Sequence, residues 1–451
     1  MYVKNISLLL MMLISILFCT SVYAQKRVLN VKEFGAKGNG TADDYPAFLK
    51  LADSVNKQCG GEILLPPGNY YLAAYHTAEN KISDILFSNC TGISIYGTKA
   101  VISLNGNFKR TANRRSGGKY FSKTNSVIPL SFKNCSGIKI FGLEVNGNVD
   151  KMTRDTGVVE GGAPLIRLAQ CRNVLIDQVN LHHAESDGVY IIGDSSHNVT
   201  ITNSVLSNNA RQGMSVIGLT KGYFNNCRFI NTGITGGNYG RHAPSDGVDI
   251  EPRFTVSDLL FESCTFSNNQ GGQFICTSPA RTSNIELRNC MMEAMTSRRP
   301  FQLILYANNI IVDSCFIDCG KGSVWGTWKK GINCAVEIKN STIKSATYGI
   351  YGIVNDSSNS KLNIHDNKIY CTADTLKYYF PWLHLPHLDF INNKVYFSSI
   401  AVLSVSGYTS VVEGKGYYVN NEFIPENTGM VPVVSYKGMK TTLPVDYFNS
   451  H

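Results

Sequence analysis

The sequence predicts an all-β chain, a single-stranded parallel β-helix with a short N-terminal capping helix, on three observations. First, a phrase of alternating apolar residues, one turn residue and a second alternating pair recurs from about Ile93 onward. Its turn position is filled by Asn203, Asn226, Ser263, Asn289, Ser314, Asn340, Asp366, Asn392 and Asn420, and six of the eight spacings run from 23 to 26 residues. Second, Cys227, Cys264, Cys290 and Cys315 each directly follow that position. Third, one helical stretch precedes all the repeats. A period of this length with short alternating strands marks a solenoid, because each coil buries its apolar face only against its neighbours. Asparagine suits the turn position because it tolerates left-handed backbone and its amide reaches the coils on either side. Side chains in register point in parallel, so the cysteines are expected to be mostly free, buried thiols. No Cys-x-x-Cys pair occurs, which argues against a zinc site.

The chain divides into three parts. Residues 1–24 read as a signal peptide: Lys4, an apolar core from Ile6 to Phe18, and Val22-Tyr23-Ala24 as the cleavage site. That core is too short to span a membrane, and no second long apolar run follows. An exported protein is expected. Residues 25–75 form a cap module. Val28 to Val31 is a strand, Gly35 to Asp44 a glycine-rich turn, and Ala47, Phe48, Leu51, Ala52 and Val55 recur at helical spacing through Asn56. Asp43 and Asp44 fall in the first turn of that helix, where carboxylates oppose its dipole. Residues 76–451 carry the coils, with loops inserted near 104–128, 148–162 and 230–245. The first loop is basic, with Lys109, Arg110, Arg114, Arg115, Lys119 and Lys123. Long loops on a rigid scaffold commonly carry function, and these three are placed to wall one cleft. Trp325, Trp328 and Tyr378 to Trp382 are aromatics suited to sugar rings or to packing between coils. Residues after Glu426 read as a terminal cap.

Composition narrows the partners. Charged residues are 17% of the chain, glycines number 40, and the formal net charge is +9. A core is affordable and global disorder is excluded. The positive balance favours an anionic partner, and export makes that an acidic polysaccharide, not nucleic acid.

The repeat carries one conspicuous phrase. Ser186-Asp187-Gly188-Val189 returns as Ser245-Asp246-Gly247-Val248, with a degenerate copy at Arg211-Gln212-Gly213-Met214. Stacking places the three copies side by side. Downstream of Asp246, alternation turns Val248 and Ile250 inward and Asp249, Glu251 and Arg253 outward. Two residues of strand separate Asp249 and Glu251 by roughly 6.5–7 Å at Cα. In the same columns stand Ser215 and Ile217, then Tyr190 and Ile192. An inverting glycoside hydrolase needs two carboxyls about 6.5–9.5 Å apart, one protonated and one ionised. A lyase needs a base, and an arginine or a cation to neutralise a uronate carboxylate. Asp187, Asp246, Asp249 and Glu251 offer oxygen ligands for Ca²⁺ in that case; hydrolysis requires no cofactor.

The candidate catalytic residues are therefore Asp246, Asp249, Glu251, Arg211 and Asp187. Asp249 and Glu251 serve as acid and base, Asp246 as the third acid, and Arg211 with Arg253 as partners of a substrate carboxylate. Arg253, His242, His183, Arg241 and Tyr190 are the candidate substrate contacts. Plainer readings stand beside each. Asp-Gly is ordinary turn chemistry, Asp249, Glu251 and Arg253 would also make a surface ion pair, and Arg211 would pair with Asp187 or Asp246.

Two stretches carry a family resemblance. Phe34-Gly35-Ala36, Asp43-Asp44, a helix and Leu65-Pro66-Pro67-Gly68-Asn69-Tyr70 resemble the N-terminal signature of the pectate-lyase superfamily of right-handed β-helices. That superfamily includes polygalacturonase-like glycoside hydrolases, polysaccharide lyases and phage tailspikes. The resemblance implies a right-handed solenoid whose first module caps its open end. Ser245-Asp246-Gly247-Val248-Asp249 is similar to the polygalacturonase Asn-Thr-Asp-Gly-x-Asp motif, with Pro244 where the asparagine stands, and Asp246 would match its catalytic aspartate. The next coil departs: Asn269-Gln270-Gly271-Gly272-Gln273 replaces the Asp-Asp pair, and neither Gly-His-Gly nor Arg-x-Lys follows. The resemblance thus implies a polysaccharide hydrolase or lyase, with a non-catalytic glycan-binding solenoid as the alternative.

Overall fold

The computed structural model describes residues 28–73, 84–107, 109–110, 112–116, 119–122, 127–155, 162–294, 301–328, 334–346, 350–354, 360–372, 382–397, 410–415, 417–425, 434–437 and 440–441. Residues 1–24, expected as a signal peptide, Lys123, the run Tyr378 to Pro381 and most of the expected terminal cap lie outside them.

The chain winds into a parallel β-helix. One turn of the coil contains three strands, for example Asp187–Ile192, His197–Thr202 and Val205–Ser207. Each pairs in parallel with its counterpart one turn later, Gln212–Val216, Leu219–Asn225 and Arg228–Ile230. The repeat dictates this stacking. Each inward column becomes a ladder of apolar side chains: Val189, Met214, Val248, Phe274 and Leu303 stack in register, all fully buried. Fully burying such a side chain is worth about 1.5–3 kcal/mol. Phe224 and Phe261 stack at 4.5 Å in the adjoining wall.

The predicted turn position is left-handed throughout. Asn203, Asn226, Ser263, Asn289, Ser314, Asn340, Asp366, Asn392 and Asn420 all have φ between 50° and 58°. Their amides bridge coils, as where Asn226 Nδ2 donates to Asn203 Oδ1 at 2.8 Å. The position after it faces the interior. Cys227, Cys264, Cys290 and Cys315 are buried there as free thiols. Farther along, Asn367, Asn393 and Asn421 take that position and form a second, buried amide ladder.

The capping helix, α1, runs Tyr45–Lys57 and buries the five predicted apolar residues together with Tyr45. At its end Asn56 is bonded into the first coil: Oδ1 accepts from Ser88 N and Nδ2 donates to Leu86 O, each at 2.8 Å. Asp44 does more than begin the helix. Fully buried, it accepts the backbone N–H groups of Lys37 at 2.5 Å and Gly38 at 3.0 Å, tying down the glycine-rich turn.

The first insertion differs from the expected loop. Ala112–Ser116 and Lys119–Ser122 pair antiparallel as a hairpin. Lys109–Arg110, at its base, pairs in parallel with Thr153–Arg154 of the second insertion.

Candidate active site

Five successive strands of one wall set the site: β1 Ile166–Ala169, β2 Asp187–Ile192, β3 Gln212–Val216, β4 Asp246–Ile250 and β5 Phe274–Cys276. The three copies of the glycine phrase stand in register, Asp187 beside Gln212 beside Asp246. Three residues on, the outward column reads Arg167, Tyr190, Ser215, Asp249 and Ile275. This is the column expected from alternation, extended one coil earlier by Arg167.

A cavity of about 250 Å³ opens over β1 to β4. Arg167, Asp187, Tyr190, Arg211, Glu251 and Arg253 line it, and Ile128, Gly162 and Pro164 close it where the first two insertions rejoin the coil. Three arginines thus face one small space. Arg211 is held at the floor: Nη1 lies 3.2 and 3.1 Å from the two carboxylate oxygens of the buried Asp187. Ser215 Oγ donates to the same carboxylate at 3.1 Å. Arg167 is fixed by Asp84 Oδ2 at 2.7 Å and Ser131 Oγ at 3.1 Å. Glu251 and Arg253 are exposed, just past the end of β4. Tyr190 is half-buried, and burial, then the Asp187 charge, pushes its phenol above the usual tyrosine range. Its proton stays on at neutral pH.

Beneath the cavity the geometry departs from expectation. Asp249 was expected outward on the surface beside Glu251. It does take the outward column, yet it is only 5% exposed. Gln212 Nε2 donates to its Oδ2 at 2.7 Å. Burial first, then the charges of Asp246 and Glu251, push the Asp249 carboxyl well above the usual carboxylate range. Asp246 is fully buried, and its Oδ1 accepts the Gly272 N–H at 2.5 Å. A Cβ on Gly271 would meet the same oxygen. The Asn269–Gln273 segment, where the polygalacturonase motif has two aspartates, therefore packs on Asp246 through backbone. Its side chains continue a buried amide ladder in which Asn269 Nδ2 donates to Gln273 Oε1 at 2.7 Å.

The histidines and Arg241 stand apart from the cavity lining. His183 Nδ1 lies 2.6 Å from His182 Nδ1, and its Nε2 lies 3.3 Å from Asp150 Oδ2. Burial lowers its pKa, while Asp150 opposes the shift. His242 is 1% exposed, its ring 4.9 Å from that of Tyr239. Arg241 is exposed, and its carbonyl accepts from Arg154 Nη2 at 2.7 Å. Of the three insertions only the first two reach the cavity. The third folds Tyr239 against Val149, Met152 and Ala210, a small apolar cluster of its own that absorbs it.

The four carboxylates do not suit a Ca²⁺ cage. Asp187 is turned to Arg211 and Ser215, Asp246 to the Gly272 amide and Asp249 to Gln212. Among the described residues no group of three or more acidic, histidine or cysteine side chains is placed to hold a metal ion. What the cavity offers is a carboxylate, a protonated phenol and fixed positive charge. Sequence reasoning missed Arg167. Its signal lies in the alternation of Leu165-Ile166-Arg167-Leu168, one coil before Tyr190, where no glycine phrase marks the strand.

Comparison with known proteins fits this architecture. A 51-residue stretch, 11% of this chain, is 41% identical to Alginate lyase 7 of Azotobacter vinelandii. A 45-residue stretch, 10% of the chain, is 44% identical to Mannuronan C5-epimerase AlgE6 of the same organism. The matches span only 6% and 5% of those proteins' lengths. The tailspike protein of E. coli bacteriophage HK620, solved in complex with a pentasaccharide, superposes with a TM-score of 0.56 at 11% identity, over 91% of this chain and 78% of its own. The family model of the right-handed β-helix region matches residues 130–290 and 241–395. Those matches together cover more than half of the chain, which therefore belongs to the family of the right-handed β-helix region.

Proposed function

We propose that this chain is an exported carbohydrate-active enzyme that cleaves an acidic, uronate-containing polysaccharide by β-elimination in the cavity over β1 to β4. The observation that carries this reading is the gathering of Arg167, Arg211 and Arg253 with Tyr190 and Glu251 around one small space. Three guanidinium groups in a cleft call for an anionic ligand, and a planar carboxylate matches their fork geometry. Elimination removes the proton next to that carboxylate, forms a C4–C5 double bond and expels the glycosidic oxygen. Glu251 accepts the proton. Tyr190, which keeps its own proton, gives it to the departing oxygen. Arg253, with Arg167 and Arg211 behind it, stabilises the charge that builds on the carboxylate in between. That the two partial relatives are an alginate lyase and a mannuronan C5-epimerase is compatible with uronate chemistry.

One observation favours hydrolysis as a second reading. Burial, then the charges of Asp246 and Glu251, shift the Asp249 carboxyl toward its protonated form, in the direction that an acid–base carboxyl pair requires. Both readings use Glu251. Incubation of the mature protein with polygalacturonate, alginate and a neutral glucan, followed by ultraviolet absorbance, separates them. Elimination gives a new absorbance from the unsaturated end, and hydrolysis gives reducing ends without it. The absence of both would leave a glycan-binding solenoid.

A further inference from the structure

Asp84 stands behind the cavity lining, and its carboxylate touches two residues that belong to that lining. Oδ2 accepts from Arg167 Nη2 at 2.7 Å, and Oδ1 accepts the backbone N–H of Ile128 at 3.0 Å. Ile128 is held from its other side as well, because its carbonyl accepts the N–H of Ile85 at 3.1 Å. One side chain thus joins a cation of the lining to the apolar wall beside it.

The pose of Arg167 follows from these contacts. Its Nε donates to Ser131 Oγ at 3.1 Å, and Ser131 is fully buried. With Nε on Ser131 and Nη2 on Asp84, the guanidinium is pinned along one edge. Among the described residues Nη1 has no hydrogen-bond partner, so its N–H groups stay available to a ligand. Arg211 differs, since its Nη1 is already engaged by the Asp187 carboxylate. Arg167 also stands in register with Tyr190, one strand spacing of about 4.8 Å away along the backbone. Ordering a long, mobile side chain on binding costs affinity, and partners that fix it in the free protein remove that cost from the binding step. A planar fork held in one orientation suits a carboxylate.

From this we infer that Asp84 is a positioning residue for carboxylate recognition. Acting through Arg167, it aims the guanidinium at the acidic group of the sugar, and through Ile128 it holds the cavity wall beside that group. The inference rests on the reading of the cavity as a site for acidic glycan. It gives Asp84 no contact with substrate and no part in proton transfer.

Trigalacturonate and its fully methyl-esterified form differ only at the carboxylates, so the ratio of their affinities reads carboxylate recognition alone. Both are titrated by calorimetry against the full chain and against Asp84→Asn, Ser131→Ala, Arg167→Met and the double variant Asp84→Asn with Arg167→Met. Circular dichroism checks each fold. Asp84→Asn keeps an oxygen for the Ile128 N–H and removes the charge that orients Arg167. It is expected to bind the acid roughly tenfold more weakly and the ester as the wild type does. Ser131→Ala, which leaves Asp84 in place, shifts the ratio in the same direction. In the Arg167→Met background Asp84→Asn lowers affinity for the acid by less than about twofold further, because the residue it acts through is gone. A loss shared equally by acid and ester overturns the inference, as do losses that simply add in the double variant. The readout needs no turnover. A wild-type protein that binds the acid no better than the ester removes the reading of the cavity and this inference with it, whereas an acid preference that survives Asp84→Asn and Ser131→Ala removes this inference alone.

Discussion

Gln212 Nε2 lies 2.7 Å from Asp249 Oδ2, and Gln212 Oε1 accepts the backbone N–H of Asp246 at 2.8 Å. A backbone N–H only donates, so the amide orientation is fixed and Gln212 must donate to Asp249. The middle, degenerate copy of the glycine phrase thus bridges the strand that follows it. A third aspartate at this place would set another negative charge beside two buried carboxyls.

That bridge frames a pH prediction. Asp249 has a raised pKa in the folded protein and an ordinary value of about 3.9 in the unfolded chain. The folded state holds a proton that the unfolded state releases. The stability tied to that proton is fully present below about pH 3.9 and is lost as pH rises through the folded value. Asp249→Asn keeps an acceptor for Gln212 and removes the titration. Urea unfolding should show the variant gaining on the wild type as pH rises from about 4 toward 8. A difference that stays constant over that range would contradict the assignment.

Glu251 and Tyr190 are predicted to act in the reaction, not in the fold. Glu251→Gln and Tyr190→Phe should each lower kcat by roughly a hundredfold to ten-thousandfold, the usual contribution of a positioned acid or base. Thermal unfolding midpoints should stay close to the wild type. Steady-state kinetics on the polyuronate, with calorimetry of the same preparations, reads both.

Arg211 is predicted to be structural as well as functional. Its side chain is 16% exposed and that of its partner Asp187 is 2% exposed. Removing one partner strands a buried charge, so Arg211→Met should cost about 3–5 kcal/mol in urea unfolding. Adding Asp187→Asn should recover most of that loss, because no charge then remains uncompensated. A double variant as unstable as the single one would show that the loss does not come from a stranded Asp187 charge.

The turn after Asn269 admits no side chain. A Cβ at Gly271 would meet Asp246 Oδ1 and the Pro244 carbonyl oxygen. Gly271→Ala should destabilise by roughly 1–3 kcal/mol, as overpacking of a tight interior does. Its effect on the cavity residues should be indirect and small, which turnover at a temperature well below unfolding would show.

Much of the coil was legible in the sequence because periodicity reports on the backbone. A turn residue every two dozen positions implies left-handed geometry at Asn203 or Asn340 whatever the side chains do elsewhere. Alternation likewise placed Val248 and Ile250 inside and put Tyr190, Ser215 and Asp249 in one column. Accessibility was not legible. Whether an outward residue meets solvent depends on what the neighbouring coils and inserted loops lay over it, and sequence spacing does not encode that. Spacing therefore sets Asp249 outward without showing that Gln212 covers it, and sets Asp246 at a turn without showing that the Gly271–Gly272 backbone covers it. His242 was read as a loop residue near substrate, although its loop has an apolar anchor in Tyr239. Arg167 was missed for the opposite reason, since it carries no motif and owes its place to register alone.

The mass spectrum of the fragments released from a polyuronate is the measurement that bears most directly on the cavity. Fragments lighter by one water than the hydrolysis products, absent with Glu251→Gln, are predicted. Fragments from a neutral glucan alone, or unsaturated fragments that persist undiminished in Glu251→Gln, would contradict it.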